Sequence, residues 1–444
     1  MRRDVSLYWW GQTTSAFGSY FTAVAFPLIA VVQLNVSAAE AGLLTAAGIL
    51  PVLLFGLPLG TFADRIARPR RALVIMDLLS AAAVGVVALG LVVDAVSLLW
   101  LAALSAVRAL LGTVSGALFF VHLRELVDRD QIGPARARLQ SGKFGASLVG
   151  RSLAGPAVAV FGGEAALAVD TVSYLLSALA LVSMRAPDAA RARPAARERG
   201  RERRAAGVRF FLGDAYQRSL AVFLVSTALC SSGFTALTGL FLLREVGLPT
   251  SAYGLVFALS GLTGLGGSVL AGRLLGPGSD ARRITVVTFS LAAGSTLLLP
   301  LAFGPLPLAA AIAALGVSLP VFFGAIANVG MGTALTLDAA EDELGRVMTA
   351  IQVFVAGANA LGALAGGMLG QWAGVREALL LLGLGQLTVS ALAVPPALRA
   401  ARRLRAAETV EEKARATGRA GEDEEGTGRA AKPARGRARA AERP

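Results

Sequence analysis

The sequence has few of the residues on which soluble folds, disulfides and metal sites depend. Among its 444 residues there are one cysteine and one histidine, and only 16% are charged and 7% aromatic. Ordinary soluble domains carry about 25% charged residues, so there is too little charge here to cover a water-exposed surface. One cysteine excludes an intramolecular disulfide, and one histidine cannot build a metal site. These shortages exclude a soluble multidomain enzyme, a disordered protein and a disulfide-stapled secreted domain.

Long apolar runs are abundant instead, with 55% hydrophobic residues, 51 glycines and a mean hydropathy of +0.64. A helix that spans a bilayer needs about 20 mostly apolar residues. The sequence predicts an all-α membrane protein with twelve transmembrane helices. The predicted spans are 7–33, 41–63, 72–93, 96–120, 141–162, 165–184, 219–243, 252–275, 284–304, 308–335, 346–371 and 376–397.

The formal net charge is +13, and the basic residues behind it are distributed according to the topology of these spans. Basic residues concentrate in alternate connections, in one linker and in the C-terminal tail, whereas the other connections contain only Arg244 and Arg376. Cytoplasmic loops carry an excess of lysine and arginine, so both termini are predicted to be cytoplasmic in a multi-pass protein of the cell membrane. The same distribution argues against nucleic acid as a partner.

The predicted spans divide into two pseudo-symmetric six-helix halves. Residues 1–184 form the first, a basic cytoplasmic linker covers 185–218, the second covers 219–397, and a disordered cytoplasmic tail covers 398–444. Gly56, Ala63 and Arg65 at the end of span 2 recur as Gly264, Ala271 and Arg273 at the end of span 8. This repeat, about 208 residues apart, is typical of secondary transporters with a site between two halves.

No nucleotide-binding motif supplies an energy source, because the segment around Gly142-Lys143 lacks the other P-loop residues. ATP and cofactors are therefore not expected. The predicted partners are the lipid bilayer, a small-molecule substrate and protons.

The loop after span 2 reads GTFADRIARPRR at residues 60–71. It resembles the G-x-L-A-D-R-x-G-R-R/K motif of the major facilitator superfamily. The resemblance implies a cytoplasmic latch between the halves that breaks and re-forms during transport, with the candidate residues Gly60, Asp64, Arg65, Arg71 and Asp77. Departures from the motif leave open which arginine forms the latch. Topology-setting charge alone would explain the arginines but not Gly60 and Asp64.

Arg108 lies near the middle of span 4, where an unpartnered charge costs several kcal/mol in lipid. It should therefore face a cavity. The superfamily has an arginine in a matching motif that is implicated in proton transfer, although Leu111 replaces the usual glutamine. A purely structural ion pair is the alternative.

Span 5 contains Gly150 and Gly155-Pro156, similar to the G-x-x-x-G-P-x-x-G-G motif of antiporters in this superfamily. The resemblance implies export. Residues 168–175, AVDTVSYL, extend it to the branch of drug:proton antiporters that contains macrolide-efflux and enterobactin-exporter proteins.

Asp170 is the only acid well inside a predicted span, apart from Asp77 near the end of span 3. One hypothesis is that Asp170 takes up the transported proton, and that this proton replaces the pairing of the carboxylate with Arg108 and Arg151. The equally weighted alternative is an ion pair that only holds helices together.

Helices 1, 4, 7 and 10 line the substrate cavity in the superfamily. The resemblance therefore implies Tyr20, Phe234 and Phe322 as cavity residues beside Arg108, with plain helix packing as the alternative.

Together these features predict a secondary active transporter that exports a drug or secondary metabolite by alternating access, in exchange for protons. The expected biological roles are multidrug efflux and antibiotic resistance. Two alternatives are an exporter of an anionic metabolite such as a siderophore, and a non-transporting membrane sensor or scaffold. An enzyme is not expected, because no nucleophile and base or metal set is visible.

Overall fold

The computed structural model describes residues 2–127, 131–185, 215–276, 279–338 and 341–429, and these ranges are mostly helical. Most of the predicted linker and the last fifteen residues of the tail lie outside the described residues. The side chains of Asp64 and its neighbours at 60–61 also lie outside the described part of the chain.

The α-helices are numbered in chain order, and they do not correspond one for one to the predicted spans. Before residue 185 they are α1 (Arg2–Leu28), α2 (Ala38–Ala47), α3 (Leu50–Asp64), α4 (Pro69–Val92), α5 (Leu98–Leu126) and α6 (Ile132–Val182). After residue 214 they are α7 (Ala215–Leu240), α8 (Thr250–Leu274), α9 (Ala281–Ser295), α10 (Leu306–Asp338), α11 (Glu341–Ala373) and α12 (Val375–Arg429). Single π-helical turns, Ile29–Gln33 and Phe241–Glu245, extend α1 and α7, and a 3-10 turn, Thr296–Leu298, extends α9.

In the described part of the chain, ten helical segments are long and apolar enough to cross a membrane. The difference from the twelve predicted spans has two sources. Predicted spans 5 and 6 both lie in α6, which is counted once, and α9 has only 15 residues and is not counted. Span 2 is divided into α2 and α3, with the break at Gly48–Ile49.

The long helix α6 consists of two arms that reverse direction at Gly162, where φ is 81°. A straight helix of this length would extend about 77 Å, far more than a bilayer. Gly150 in the first arm packs against Phe17 of α1, and Ser173 in the second arm packs against Gly18 of α1. Because both arms contact the same turn of α1, the chain must fold back between them. Only a residue that tolerates positive φ allows this reversal without strain.

At one end of the molecule, a single cluster of buried apolar side chains joins α1–α6 to α7–α12. At the other end, each set of helices has a cluster of its own. One cluster, which includes Leu28, Leu44, Leu240 and Leu379, contains residues of both α1–α6 and α7–α12. We call this the closed end; the connections after Gln33, Val92, Glu245 and Ala373 lie there. Two further clusters of the described residues lie at the opposite, open end. One belongs to α1 and α3–α6 and the other to α7, α9, α10 and α12.

Backbone conformation repeats along the chain at this closed end. Positive φ occurs at Asn35, Asp94 and Gly162, and again at Gly247, Gly304 and Gly374. Each residue of the first set is matched by one of the second about 210 residues later, as expected of an internal repeat.

The last helix continues further than the sequence analysis predicted. α12 extends to Arg429, past Pro395-Pro396, whereas the predicted span ends at residue 397. The tail predicted to be disordered at 398–444 is therefore helical over 398–429, because the helix of the last span continues without a break into the charged segment.

Candidate functional site

A buried ion pair joins α5 and α6 inside the membrane region. Arg108 Nη1 donates a hydrogen bond to Asp170 Oδ2, and the Asp170 side chain is fully buried while that of Arg108 is 19% exposed. The structure thus brings together two of the three residues predicted for proton coupling. An arginine and a carboxylate neutralise each other's charge, which reduces the cost of placing both in the membrane interior.

Hydroxyl groups complete the surroundings of this carboxylate. Thr22 Oγ1 on α1 donates to Asp170 Oδ2 at 2.8 Å, and Ser173 Oγ lies 3.4 Å from Asp170 Oδ1. Gly18 allows this approach, because a Cβ there would lie 2.6 Å from Asp170 Oδ1. The carboxylate is therefore held by three helices, α1, α5 and α6.

Arg108 of this ion pair, with Asp170 behind it, lines a cavity of about 310 Å³ between α1, α2, α5 and α7. Its polar lining comprises Thr22, Thr45, Ser105, Arg108 and Thr235, and the rest is mainly apolar. A mostly apolar cavity with few polar groups is typical of a small-molecule site. Arg108 contacts the cavity on one side and Asp170 on the other, so an occupant of the cavity can compete for the guanidinium.

Arg151, the third residue predicted for proton coupling, does not contact Asp170. Its guanidinium lies 5.3 Å from the centre of the Tyr20 ring, and its Nε is buried without a hydrogen-bond partner. Arg151 forms no ion pair with a described residue.

The predicted cavity aromatics lie elsewhere. Tyr20 is half-buried beneath Arg151, and Phe234 is 8% exposed within the apolar cluster of the closed end, next to the cavity residue Thr235. Phe322 on α10 packs edge-on against Phe323. None of the three lines the cavity described above, so their contact with substrate stays a prediction.

The residues predicted for the latch lie at the open end. α3 ends at Asp64, Arg65 follows it and is exposed, and Arg71 is exposed in the first turn of α4. The side chain of Asp64 and the surroundings of Gly60 lie outside the described part. Asp77 is only 7% exposed and is buried inside the helix bundle.

Two close helix crossings join α1–α6 to α7–α12 near the closed end. Gly155, beside Pro156 on α6, meets Gly254 on α8, and Gly42 on α2 meets Gly367 on α11. A Cβ at Gly155 would lie 2.7 Å from Thr250 O, and a Cβ at Gly42 would lie 2.8 Å from the Gly367 Cα. Glycine at these positions lets the helix backbones touch.

A hydrogen-bonded arginine adds to the closed end. Arg244 Nη2 donates to Asn35 Oδ1 at 2.6 Å and to Val31 O at 3.2 Å, and thereby ties the end of α7 to the end of α1.

Replacing Arg244 by Ala is expected to loosen the closed end, because it removes both hydrogen bonds between α7 and the end of α1; in this exposed setting they contribute about 1 kcal/mol or less. Amide hydrogen exchange at residues 29–37 and 241–249 should become faster. Arg273→Ala, at an exposed arginine of the open end, is the control. Unchanged exchange in Arg244→Ala would show that apolar packing alone closes this end.

Three features of the structure were not predicted from the sequence: the hydroxyls around Asp170, the Gly42–Gly367 crossing and the Arg244–Asn35 contact. Thr22 and Ser173 are polar residues in apolar runs, but such residues are common and carry no specific signal. The glycine crossing had a signal: Gly42 precedes Gly254, and Gly155 precedes Gly367, by the same distance of about 210 residues.

The chain matches the Major Facilitator Superfamily over residues 8–337. It is 29% identical over 406 residues to the multidrug efflux pump Tap of Mycolicibacterium fortuitum, covering 88% of this chain and 95% of that protein. It is also 29% identical over 398 residues to multidrug efflux pump Tap of Mycobacterium tuberculosis H37Rv, covering 87% and 91%.

Solved structures of transporters share the fold. A bacterial homologue of the iron transporter ferroportin in an inward-facing state has a TM-score of 0.69 at 16% identity, covering 90% of this chain and 99% of that one. The nucleoside transporter NupG has a TM-score of 0.67 at 13% identity, covering 89% and 99%. The superfamily match spans most of the chain and agrees with its apolar helices, so this protein belongs to the Major Facilitator Superfamily and is an integral membrane transporter, not an enzyme.

Proposed function

We propose that this protein exports drugs or secondary metabolites across the cell membrane by alternating access, in exchange for protons. The observation that carries the proposal is the buried Arg108–Asp170 ion pair, whose arginine lines a membrane-embedded cavity. Ionisable residues inside a membrane are costly and commonly mark substrate or proton pathways. The names of the Tap relatives support efflux of several drugs as the direction and substrate class.

The proposed architecture is twelve membrane crossings in two six-helix halves. The ten apolar segments become twelve when the two arms of α6 are counted separately and α9 is taken together with its 3-10 turn. The repeated positive-φ residues support the two halves. The proposed units are residues 1–184, a linker at 185–218, residues 219–397 and a tail at 398–444.

We propose that the open end faces the cytoplasm, with both termini on that side. The support is the placement of basic residues: the connections at the closed end contain only Arg244 and Arg376. The cavity would then load substrate from the cytoplasm or the inner leaflet. Opening of the glycine crossings would release it on the other side.

The proposed coupling follows from competition for one guanidinium. Ionised Asp170 holds Arg108, whereas protonated Asp170 has no charge with which to hold it. A proton that reaches Asp170 therefore changes the charge at the cavity wall. Exchange of proton and substrate results if ionised Asp170 favours opening of the cavity toward one side of the membrane and protonated Asp170 favours opening toward the other side.

The proposal is tested by efflux from cells that express the chain, with a panel of lipophilic drugs and anionic metabolites. Export that a protonophore abolishes is the expected result. Export that persists after collapse of the proton gradient would contradict proton exchange. If no compound of the panel is exported although the protein is confirmed in the membrane, broad efflux would be contradicted.

An anionic substrate such as a siderophore is the second candidate. It is favoured by Arg151, whose charge is not balanced by an acid among the described residues. Cationic and neutral drugs would gain nothing from that charge, so the same panel discriminates the two candidates.

The latch is proposed from its motif, and Asp64→Asn is expected to lower efflux about tenfold without reducing the amount of folded protein. The amide keeps the size of the side chain but loses the charge that would pair with arginine or a helix N-terminus, an interaction of about 1 kcal/mol or more. Efflux per folded molecule is the measurement, with Asp94→Asn in a closed-end connection as the control. Wild-type efflux in Asp64→Asn would rule out the latch.

A further inference from the structure

A second buried acid lies between the ion pair and the open end. Asp77 on α4 is 7% exposed, and its Oδ2 has no hydrogen-bond partner. The side chains that interact with it are Tyr8 of α1 and Ser177 and Tyr174 of α6, and His122 of α5 packs against the Tyr8 ring. In the described part of the chain, no basic side chain pairs with Asp77. An ionised carboxylate buried in this way is costly unless a proton or water reaches it.

The Tyr8 hydroxyl does not supply the missing partner. It donates instead to the carbonyl of Phe119 at 3.0 Å, so its proton points away from Asp77. Asp77 is therefore a buried carboxyl without an ion-pair partner among the described residues, unlike Asp170, which Arg108 neutralises.

A line of polar side chains on α6 connects the two acids. Asp170, Ser173 and Ser177 lie on one helix face, because residues three, four and seven positions apart share a face. All three are buried, at 0%, 3% and 0% exposure. Ser173 Oγ donates to the backbone carbonyl of Asp170 at 2.7 Å and also lies near its carboxylate.

This polar line runs inside the helix bundle, not along the cavity. It packs against α1, where Gly18 meets the side chains of Asp170 and Ser173, and Gly11 meets the backbone of Ser177. From Asp170 to Ser177 it advances about 10 Å along α6, toward the open end. Asp170 itself is fully buried behind Arg108 and Thr22, so its proton has no direct exit into the cavity.

Two polar atoms meet where this line reaches Asp77 of α4. Ser177 Oγ and Asp77 Oδ2 are both buried without a hydrogen bond of standard geometry, although the two side chains are close enough to interact with each other. Buried polar atoms in proteins are nearly always paired, and an unpaired one calls for a bound water, a proton or a functional role. Two such atoms that face each other are suited to pass a mobile proton from the hydroxyl to the carboxylate.

We propose that Asp77 is a second proton-carrying residue, which receives the transported proton from Asp170 along Ser173 and Ser177 and releases it at the open end. This proposal rests on the proposed proton exchange. The proton leaves the Asp170 carboxyl, which returns to its ion pair with Arg108. It passes through the hydroxyls and intervening water to the Asp77 carboxylate, which becomes neutral, and then leaves to water at the open end. The proton thus has a route of its own, separate from that of the substrate.

The test combines infrared spectroscopy with transport by the full-length protein in proteoliposomes. The variants are Asp77→Asn, Asp77→Glu and Ser177→Ala. Ser152→Ala is the matched control, because the Ser152 hydroxyl bonds only to the carbonyl of Leu148 in its own helix. Infrared difference spectra between acidic and alkaline buffer report protonated carboxyls directly and do not depend on substrate.

A carboxyl band that titrates in the wild type and disappears in Asp77→Asn is the expected spectrum. Proton-driven transport should fall about 100-fold in Asp77→Asn, in the range of lost acid–base groups, with substrate affinity unchanged. Asp77→Glu should restore most of the rate and shift its pH profile, which a merely structural carboxyl would not do. Ser177→Ala should slow transport less, because water can replace one hydroxyl.

The outcomes separate this proposal from the proposed function. Proton-driven transport at the wild-type rate in Asp77→Asn, or no titrating band assigned to Asp77, overturns the proton route alone. Transport by the wild type that ignores the proton gradient overturns the proposed exchange, and the infrared band then still decides whether Asp77 exchanges a proton.

Discussion

Asp170→Asn is expected to abolish proton-driven transport, with a loss of at least about 100-fold. The amide keeps the shape of the side chain and its contacts with Thr22 and Ser173, but it cannot take up a proton or hold Arg108 as an ion. Transport driven by a pH gradient in proteoliposomes is the measurement. If Asp170 only holds helices together, the transport rate of the folded variant will stay near that of the wild type.

Stability must be separated from function at this position. Removing one member of a buried ion pair leaves the other charge uncompensated and costs about 3–5 kcal/mol. Arg108→Leu and Asp170→Asn should therefore each lower the melting temperature, whereas the double variant should recover much of it. Transport should stay lost in the double variant. Recovery of transport together with stability would show that the pair is structural.

Leucine in place of Gly42 or Gly155 is expected to lower transport about 100-fold by holding the closed end open. A Cβ at Gly42 would lie 2.6 Å from Ala363 O, and a Cβ at Gly155 would lie 2.7 Å from Thr250 O. Both neighbours are backbone atoms, which cannot turn aside as a side chain can. The two sets of helices must therefore separate at this end, and a transporter held in one state cannot alternate.

Opening of the closed end in the leucine variants is measured as access to the cavity from that end. Thr235→Cys, in a background with Cys230→Ala, places one thiol on the cavity wall. An impermeant thiol reagent on the closed-end side should label it faster in the leucine variants. Gly145→Leu and Gly272→Leu are controls, because nothing lies within 4 Å of a Cβ at either position. Equal labelling in all variants would mean that the glycine crossings do not control opening.

The membrane-spanning elements were largely predictable. Hydropathy located the apolar runs, and the predicted boundary between spans 5 and 6 coincides with the reversal at Gly162. Helix ends were less predictable. α12 continues to Arg429 through charged residues that hydropathy does not assign to a membrane span. Hydropathy measures compatibility with lipid, and a helix can continue into water.

The candidate site was predictable only in part. The charge cost in the membrane singled out Arg108 and Asp170, and they pair in the structure. The same reasoning grouped Arg151 with them, but Arg151 packs on Tyr20 instead. Charge and depth do not specify which way a side chain points.

The sequence alone determined that this protein is an all-helical membrane protein with ionisable residues at a few buried positions. Those properties follow from composition and from the free energy of transfer to lipid, which is a local quantity summed along the chain. The tertiary structure decided which polar groups meet: Thr22 with Asp170, Asn35 with Arg244 and Gly42 with Gly367. These contacts join residues far apart in the chain, and the angle and register of helix packing select them. No local property of the sequence reports that geometry.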